Sequence, residues 1–262
     1  MAARGLFDLT GKLVVSTGAN AGLGLGFLQG CARQGADVVV WSRRADRNAA
    51  ACEALKDMGA GRTHAEQVDV SDEAAVVRAM AGTVEAMGRV DCFFANAGFS
   101  NMAPSFAEMT TEAYEKLLAV NQHGAFFSLR EACRHMRDRA LAGDPGGSIV
   151  ACGSLSQFQG RQGLEHYAAA KGAVAAMMKG IAAEMGQYKV RANMIAAGFF
   201  ITEMTSSPQA EAVAKHMASV TPLGRPGYIA DIEGAAAYLA SDASSFHTGD
   251  ILVIDGGRLV KG

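Results

Sequence analysis

Short apolar runs, each closed by a turn of small or polar residues and leading into a longer stretch of helical spacing, alternate along the whole chain. Residues 12–17, KLVVST, read as a buried strand that passes through Gly18-Ala-Asn-Ala-Gly22-Leu-Gly24 into a helical pattern reaching Gln34. The same alternation predicts strands at 37–42, 63–68, 90–95, 147–152, 190–195 and 251–254. Between them lie helices at 46–58, 72–87, 110–139 and 229–240, and one that carries Tyr167. Ser71 or Asp72 is placed to cap the 72–87 helix. Strands alternating with helices through right-handed crossovers predict an α/β, Rossmann-type fold: one doubly wound parallel sheet of about seven strands with helices on both faces.

Two stretches break the pattern. Val120-Asn121-Gln122-His123-Gly124 falls in the middle of the 110–139 helix, where asparagine and glycine are poor choices. A local break is expected there, made either for a functional side chain or for packing against the sheet. Residues 199–220 read as a mobile segment with a short helix, and 199–226 as a substrate lid, since long excursions at a ligand edge commonly act so.

Composition narrows the classes. With 262 residues, 50% of them apolar, and neither an internal repeat nor a low-complexity linker, the chain can form a single domain over 1–262 with one good-sized core. A formal charge of −2 with mixed signs leaves no basic footprint for nucleic acid or an anionic membrane. The arginine-rich 130–139 segment reads as a solvated helix face. No apolar run is long enough to span a bilayer, and the first residues lack the apolar run of a signal peptide. Cys31, Cys52, Cys92, Cys133 and Cys152 are scattered, without paired spacing or a nearby histidine grid. Neither a zinc site nor a disulfide framework is expected, and free thiols point to the cytoplasm.

The candidate chemistry gathers at the carboxyl ends of the strands, the edge where open parallel sheets bind ligands. Thr17-Gly18-x-x-x-Gly22-x-Gly24 directs backbone N–H groups and a helix N-terminus at one point, which suits a pyrophosphate. Its spacing is looser than G-x-G-x-x-G, because Phe27 stands where the third glycine would be; a tight strand-to-helix turn is the plain alternative. The second strand ends in Ser42-Arg43-Arg44, where an acidic residue would bind a ribose 2′-hydroxyl and an arginine accommodates a 2′-phosphate. NADP(H) is therefore expected over NAD(H), unless the arginines only solvate the loop. Asp69-Val70, Asn96-Ala97-Gly98 and Ala197-Gly198 end other strands at that edge. Ser154, Tyr167 and Lys171 follow one another at spacings of thirteen and four, so that Tyr167 and Lys171 lie one helical turn apart on one face. An unperturbed phenol, with a pKa of about 10, is a poor acid or base near neutrality, and an adjacent ammonium favours its charged form. Taken alone, the pair reads as easily as two residues on a solvated helix face.

Together these residues resemble the short-chain dehydrogenase/reductase family over nearly the whole chain, from about Leu9 to Gly257. The resemblance rests on Thr17-Gly18-x-x-x-Gly22-x-Gly24, Asn96-Ala97-Gly98, Asn121, Ser154, Tyr167-x-x-x-Lys171 and Asp255-Gly256-Gly257 in that order. It implies that Tyr167 is the general acid/base, that Lys171 assists it and binds the nicotinamide ribose, that Ser154 holds the substrate oxygen and that Asn121 anchors a proton-relay water. It also implies cofactor contacts from Thr17, Gly18, Asn20, Gly22, Leu23, Gly24, Ser42, Arg43, Arg44, Asp69, Val70, Asn96, Ala97, Gly98, Ala197, Gly198, Phe200 and Thr202. The implied reaction moves a hydride between NADP(H) and a carbonyl or secondary alcohol of a small molecule. A homotetramer is implied as well, paired through long helices; Ala168 to Ala183 is rich in small residues that permit close helix approach, or that serve packing on the chain's own sheet.

Two departures stand out: Ala197-Gly198 where the family has Pro-Gly, and Gly153 where it has a second serine. Ser156 offers another hydroxyl, but the spacing to Tyr167 favours Ser154. Phe99, Met102, Phe158, Phe199, Phe200 and Met204 are candidates for an apolar substrate wall, and Asn101, Gln157, Gln159, Gln162 and His166 for polar contacts. The alternatives are a nucleotide-bound regulatory or scaffold protein, an NAD-preferring dehydrogenase, and a lyase or epimerase using the same tyrosine; relatives of that last kind usually carry a separate C-terminal domain. A serine hydrolase is disfavoured because no G-x-S-x-G surrounds Ser154.

Overall fold

In a computed structural model, described for residues 5–205 and 210–261, the seven predicted strands form one sheet. They are β1 (Leu13–Thr17), β2 (Asp37–Ser42), β3 (Thr63–Gln67), β4 (Cys92–Ala95), β5 (Gly147–Ser154), β6 (Val190–Ala197) and β7 (Ile251–Ile254). All pairs are parallel and the order is β3-β2-β1-β4-β5-β6-β7, so the strand sequence reverses direction between β1 and β4. That reversal opens a crevice at the carboxyl ends of those two strands.

Alternation along each strand sends apolar side chains to both faces, and helices cover each. Leu13, Val15, Val39, Trp41 and Phe93 pack with Leu129, Met136, Val174 and Met178, which come from α5 (Ala125–Leu141) and α6 (Glu165–Met185). On the opposite face Val14, Val38, Val40 and Phe94 pack with Phe27, Leu28, Leu55 and Ile232, from α1 (Gly22–Ala32), α2 (Ala45–Asp57) and α8 (Ala230–Ala240). Strands buried on both faces explain why the apolar runs are nearly continuous rather than alternating. Of the two cap candidates, Asp72 is the cap of α3 (Glu73–Met87), accepting from Ala74 and Ala75 N–H at 2.9 and 3.2 Å.

The irregularity expected around Asn121 is a π-helical turn rather than an interruption of the helix. Helix α4 (Thr111–Leu118) runs through a π-helical turn at Ala119–Gly124 directly into α5. A wide turn accommodates the asparagine within a continuous helix, and such turns are frequent at functional sites. Strand β5 extends two residues beyond its expected end and carries Ser154 itself. In the stretch expected to carry a short helix, the Gly227 N–H donates to Phe199 O and the Ile201 N–H to Gly227 O, each at 2.9 Å, and α7 spans Ala210–Val220; residues 206–209 lie outside the described residues. Among the described residues no helix is long and apolar enough to cross a membrane.

The opposite, amino-terminal edge of the sheet holds a charged clasp. Asp91 is buried, accepts from Leu13 N–H at 2.9 Å and pairs with Arg89 at 2.5 Å. His135, on α5, accepts the Val90 N–H at 3.0 Å through Nε2.

Candidate active site

Two adjoining cavities, each of about 270 Å³, open at the crevice and share Gly18, Ala97 and Gly98 in their linings. The glycine turn separates them from the core. Gly18 has φ +63°, and a Cβ there would stand 3.0 Å from Ala97 Cα, so both conformation and space demand glycine. At Gly24 a Cβ would lie 2.7 Å from Gly18 O and run into the Asn96 amide. Thr17 and Gly24 lie behind the turn rather than in it. Thr17 Oγ1 accepts from Asn96 and Ala97 N–H at 2.9 Å each, while Asn96 Nδ2 returns a bond to Thr17 O at 2.9 Å. These ties hold the ends of β1 and β4 together. Helix α1 starts without a side-chain cap or an acidic first turn, which leaves its N-terminal amides to an anion.

The outer cavity is lined by Asn20, Ser42, Arg43, Arg44, Asp69 and Val70, the sequence candidates from three strand ends. Asp69 accepts from the Ser71 hydroxyl at 2.6 Å and the Ser71 N–H at 3.0 Å. The Ser71 hydroxyl, with its amide and the nearby Arg43, holds the carboxyl below the ordinary carboxylate value. Asn48 went unnoticed in the sequence. It is buried on α2, accepts from Asn20 at 3.0 Å, and donates to Ser42 O and Glu66 O at 3.0 and 3.1 Å. An asparagine in the first turn of an amphipathic helix gives no hint of that reach.

The inner cavity brings together Asn121, Ser154, Tyr167 and Lys171 with Gly22, Leu23, Ala197, Gly198, Phe200 and Thr202. Lys171 is buried; its Nζ donates to Cys152 O at 2.8 Å and lies 5.8 Å from the centre of the Tyr167 ring. Asn121 Nδ2 donates to Phe99 O at 2.9 Å and to Leu117 O at 3.2 Å. Its Oδ1, buried at the cavity, has no partner. Ser154 Oγ accepts the Ser156 N–H at 3.2 Å and lies 3.4 Å from the Ser156 hydroxyl. Ser156 therefore supports Ser154 and does not line the cavity.

The structure explains one departure from the family pattern. A Cβ on Gly153 would stand 2.7 Å from both Gln157 Oε1 and Met194 Sδ. Gln157 Oε1 accepts the Ser154 N–H at 3.2 Å, so the missing serine makes room for the group that fixes the turn after β5.

Only part of the suggested substrate wall is assembled. Phe199 and Phe200 line the inner cavity, whereas Met102 and Phe158 are largely exposed and outside it. The side chain of Met204 falls outside the described residues. His166 is 1% exposed and paired with Asn101 at 3.2 Å, and burial lowers its pKa. It pins the loop after β4 to α6, and the Ala103 N–H on Gly163 O at 3.0 Å ties that loop to the turn just before the helix. Cys152 lines the cavity, its thiol pushed up by burial against the opposing effect of Lys171. Glu203 and Thr205, which the sequence did not single out, line it too; Thr205 Oγ1 accepts from Thr202 N–H at 2.9 Å.

A family model described as enoyl-(acyl carrier protein) reductase matches residues 18–258. The chain is 35% identical over 257 residues to gluconate 5-dehydrogenase of Gluconobacter oxydans (strain 621H), covering 98% of each chain. It is 34% identical to an L-rhamnose 1-dehydrogenase (NAD(P)(+)) of Sphingomonas sp. (strain SKA58), over 97% of this chain and 98% of that one. The crystal structure of a gluconate 5-dehydrogenase from Burkholderia cenocepacia J2315, in complex with NADP and tartrate, superposes with a TM-score of 0.88 at 31% identity, covering 97% and 98%. The chain belongs to the short-chain dehydrogenase/reductase family. It is an NAD(P)-dependent oxidoreductase acting between CH–OH and carbonyl groups of small molecules.

Proposed function

We propose that the protein is an NADP(H)-preferring ketone reductase and secondary-alcohol dehydrogenase in which Tyr167 moves the proton. The observation that carries this reading is the meeting of Asn121, Ser154, Tyr167 and Lys171 in one cavity, which shares the glycine turn with a second cavity lined by Arg43 and Arg44 at the end of β2. The residues fit a dinucleotide: uncapped helix amides suit its pyrophosphate, Arg43 and Arg44 a 2′-phosphate, and the buried, unpartnered Asn121 Oδ1 a donor inside the cavity. Asp69, Val70 and Ala97, in the outer cavity, would hold the adenosine half, and Asn96, Ala197, Gly198, Phe200 and Thr202, in the inner cavity, the nicotinamide half. When bound, the nicotinamide supplies or accepts the hydride.

In reduction, Tyr167 Oη donates a proton to the substrate oxygen as the carbonyl carbon gains a hydride, and in oxidation it takes that proton back. Ser154 accepts from Ser156 N–H, and its O–H exchanges the long 3.4 Å bond to the Ser156 hydroxyl for the same substrate oxygen, stabilising the charge that develops there. The Lys171 ammonium, fixed by Cys152 O, favours the negative charge left on the phenol. Asn121 Oδ1 holds the water that returns a proton from solvent. Residues 199–226 act as the lid, hinged where Phe199 and Gly227 pair.

Sugar acids and sugars head the substrate classes to try, because relatives at 35% and 34% identity are named for gluconate and rhamnose. Free cysteines support a cytoplasmic setting. The outer face of α6, small and exposed at Ala169, Ala176, Gly180 and Ala183, supports a homotetramer. Initial rates over a panel of keto sugar acids, sugars and cyclic ketones test the activity. A kcat/KM at least about tenfold higher with NADP(H) than with NAD(H) is expected, the size of one charge-assisted contact of about 1.4 kcal/mol. A higher value with NAD(H) defeats the cofactor assignment.

A further inference from the structure

Among the described residues the inner cavity has one carboxylate in its lining, that of Glu203. Its oxygens accept from Arg47 Nη1 at 3.0 and 2.8 Å, across 156 positions of sequence, and one lies 4.0 Å from Arg44 Nη2. Arg44 is the cap position of α2 and Arg47 stands in the first turn of that helix. The segment bearing Glu203 rests on the glycine turn, since Thr202 Cβ is 3.7 Å from where a Cβ on Gly22 would stand. A carboxylate from the nicotinamide side therefore crosses the turn and reaches the arginines at the adenosine end.

We infer that Glu203 is a cofactor-specificity determinant, competing with a ribose 2′-phosphate for Arg44 and Arg47 and so lowering the preference for NADP(H). The inference rests on the reading of Arg43 and Arg44 as the 2′-phosphate end of the site. A 2′-phosphate brings up to about two negative charges and seeks a guanidinium fork. With Glu203 on the same side chains, the phosphate finds Arg44 shared and meets a like charge close by. A ribose 2′-hydroxyl experiences neither effect, so the cost falls on NADP(H) alone. Because the pair is exposed, with half of the Arg44 side chain and two-thirds of the Glu203 side chain open to solvent, it stabilises the fold little and is easily displaced. That makes it suited to adjusting affinity rather than to holding the structure.

The test is to measure Kd for NADP+ and NAD+ by calorimetry on the wild type, Glu203→Gln, Arg47→Gln and Arg44→Ala. Glu203→Gln is expected to raise the ratio of the NAD+ Kd to the NADP+ Kd by about three- to fivefold, the upper scale of one screened ion pair, with the gain shrinking in high salt. Arg47→Gln is expected to lower the ratio, since it removes a cation and releases Glu203 toward Arg44. A Glu203→Gln ratio within about twofold of wild type, or equal changes in both constants, overturns the inference and leaves Glu203 a structural strap. Wild type that binds both cofactors alike, with Arg44→Ala changing neither, overturns instead the cofactor reading beneath it.

Discussion

Tyr167 stands on α6 four positions before a buried lysine whose ammonium is fixed by Cys152 O, 5.8 Å from the phenol ring centre. Removing one oxygen from a position already shaped for the ring leaves packing intact, so Tyr167→Phe is expected to fold and bind cofactor as the wild type does. Its kcat is expected to fall by at least about a hundred- to ten-thousandfold, the range for a lost general acid/base. Retention of more than about a tenth of wild-type kcat with normal cofactor binding would mean that another group moves the proton. The residues that meet in the inner cavity were legible because local rules fix them: strand ends set Ser154, and helical spacing sets Tyr167 against Lys171. Glu203 and Asn48 were not legible, because their contacts join residues 156 and 28 positions apart whose local surroundings are those of ordinary surface helix and turn. The departure at Gly153 was visible in the sequence, but its reason, the space held by Gln157 and Met194, was not.

At the scale of elements, each strand lies where it was expected, although β3, THAEQ, has no apolar run and was placed by the alternation of strands and helices around it; the differences lie where helix and side chain negotiate. The irregularity expected around Asn121 in the 110–139 stretch is a π-helical turn rather than an interruption, since the asparagine bonds Leu117 O within the helix and Phe99 O outside it. Further along, α5 meets the turn leading into β4 through His135, whose Nε2 accepts the Val90 N–H. Burial, then the nearby Arg139, lowers the His135 pKa, with Arg89 acting the same way and Asp91 and Asp138 opposing. A histidine held neutral when folded but free to take a proton when unfolded, near its ordinary value of about 6.5, gives the unfolded state more protons below that pH. Stability is therefore full above about pH 6.5 and declines as pH falls from there toward the folded value, by at most about 1.4 kcal/mol per pH unit for one group. His166, lowered by burial, adds to the same slope. Urea unfolding midpoints between about pH 7.5 and 5 are expected to fall for wild type and to fall less steeply for His135→Gln; equal slopes would remove His135 from this role.

At the scale of the whole molecule, the outer face of α6 remains after the fold has used what it needs. Val174, Ala175, Met178, Ala182 and Met185 pack into the core, while Ala169, Ala176, Gly180 and Ala183 stay exposed on the other side. Packing on the chain's own sheet thus accounts for one set of small residues and not the other. Gly172 and Gly180 make the point sharper, because a Cβ at either would meet nothing within 4 Å. Glycine in a helix interior costs about 1 kcal/mol relative to alanine, so its use where no neighbour within the chain requires it points to a close approach from outside. A second copy of α6 laid against the first fits such a stripe, and a tetramer needs one further contact of the same symmetric kind. Light scattering on wild type at micromolar concentration is expected to give a tetramer. The double substitution Ala176→Arg with Gly180→Arg adds charge and bulk to the exposed face without touching the core, and replaces one glycine by a better helix former. It is expected to give a smaller species whose circular dichroism matches wild type. A wild-type monomer, or a double variant that remains a tetramer, would show that the small-residue face of α6 does not join the subunits.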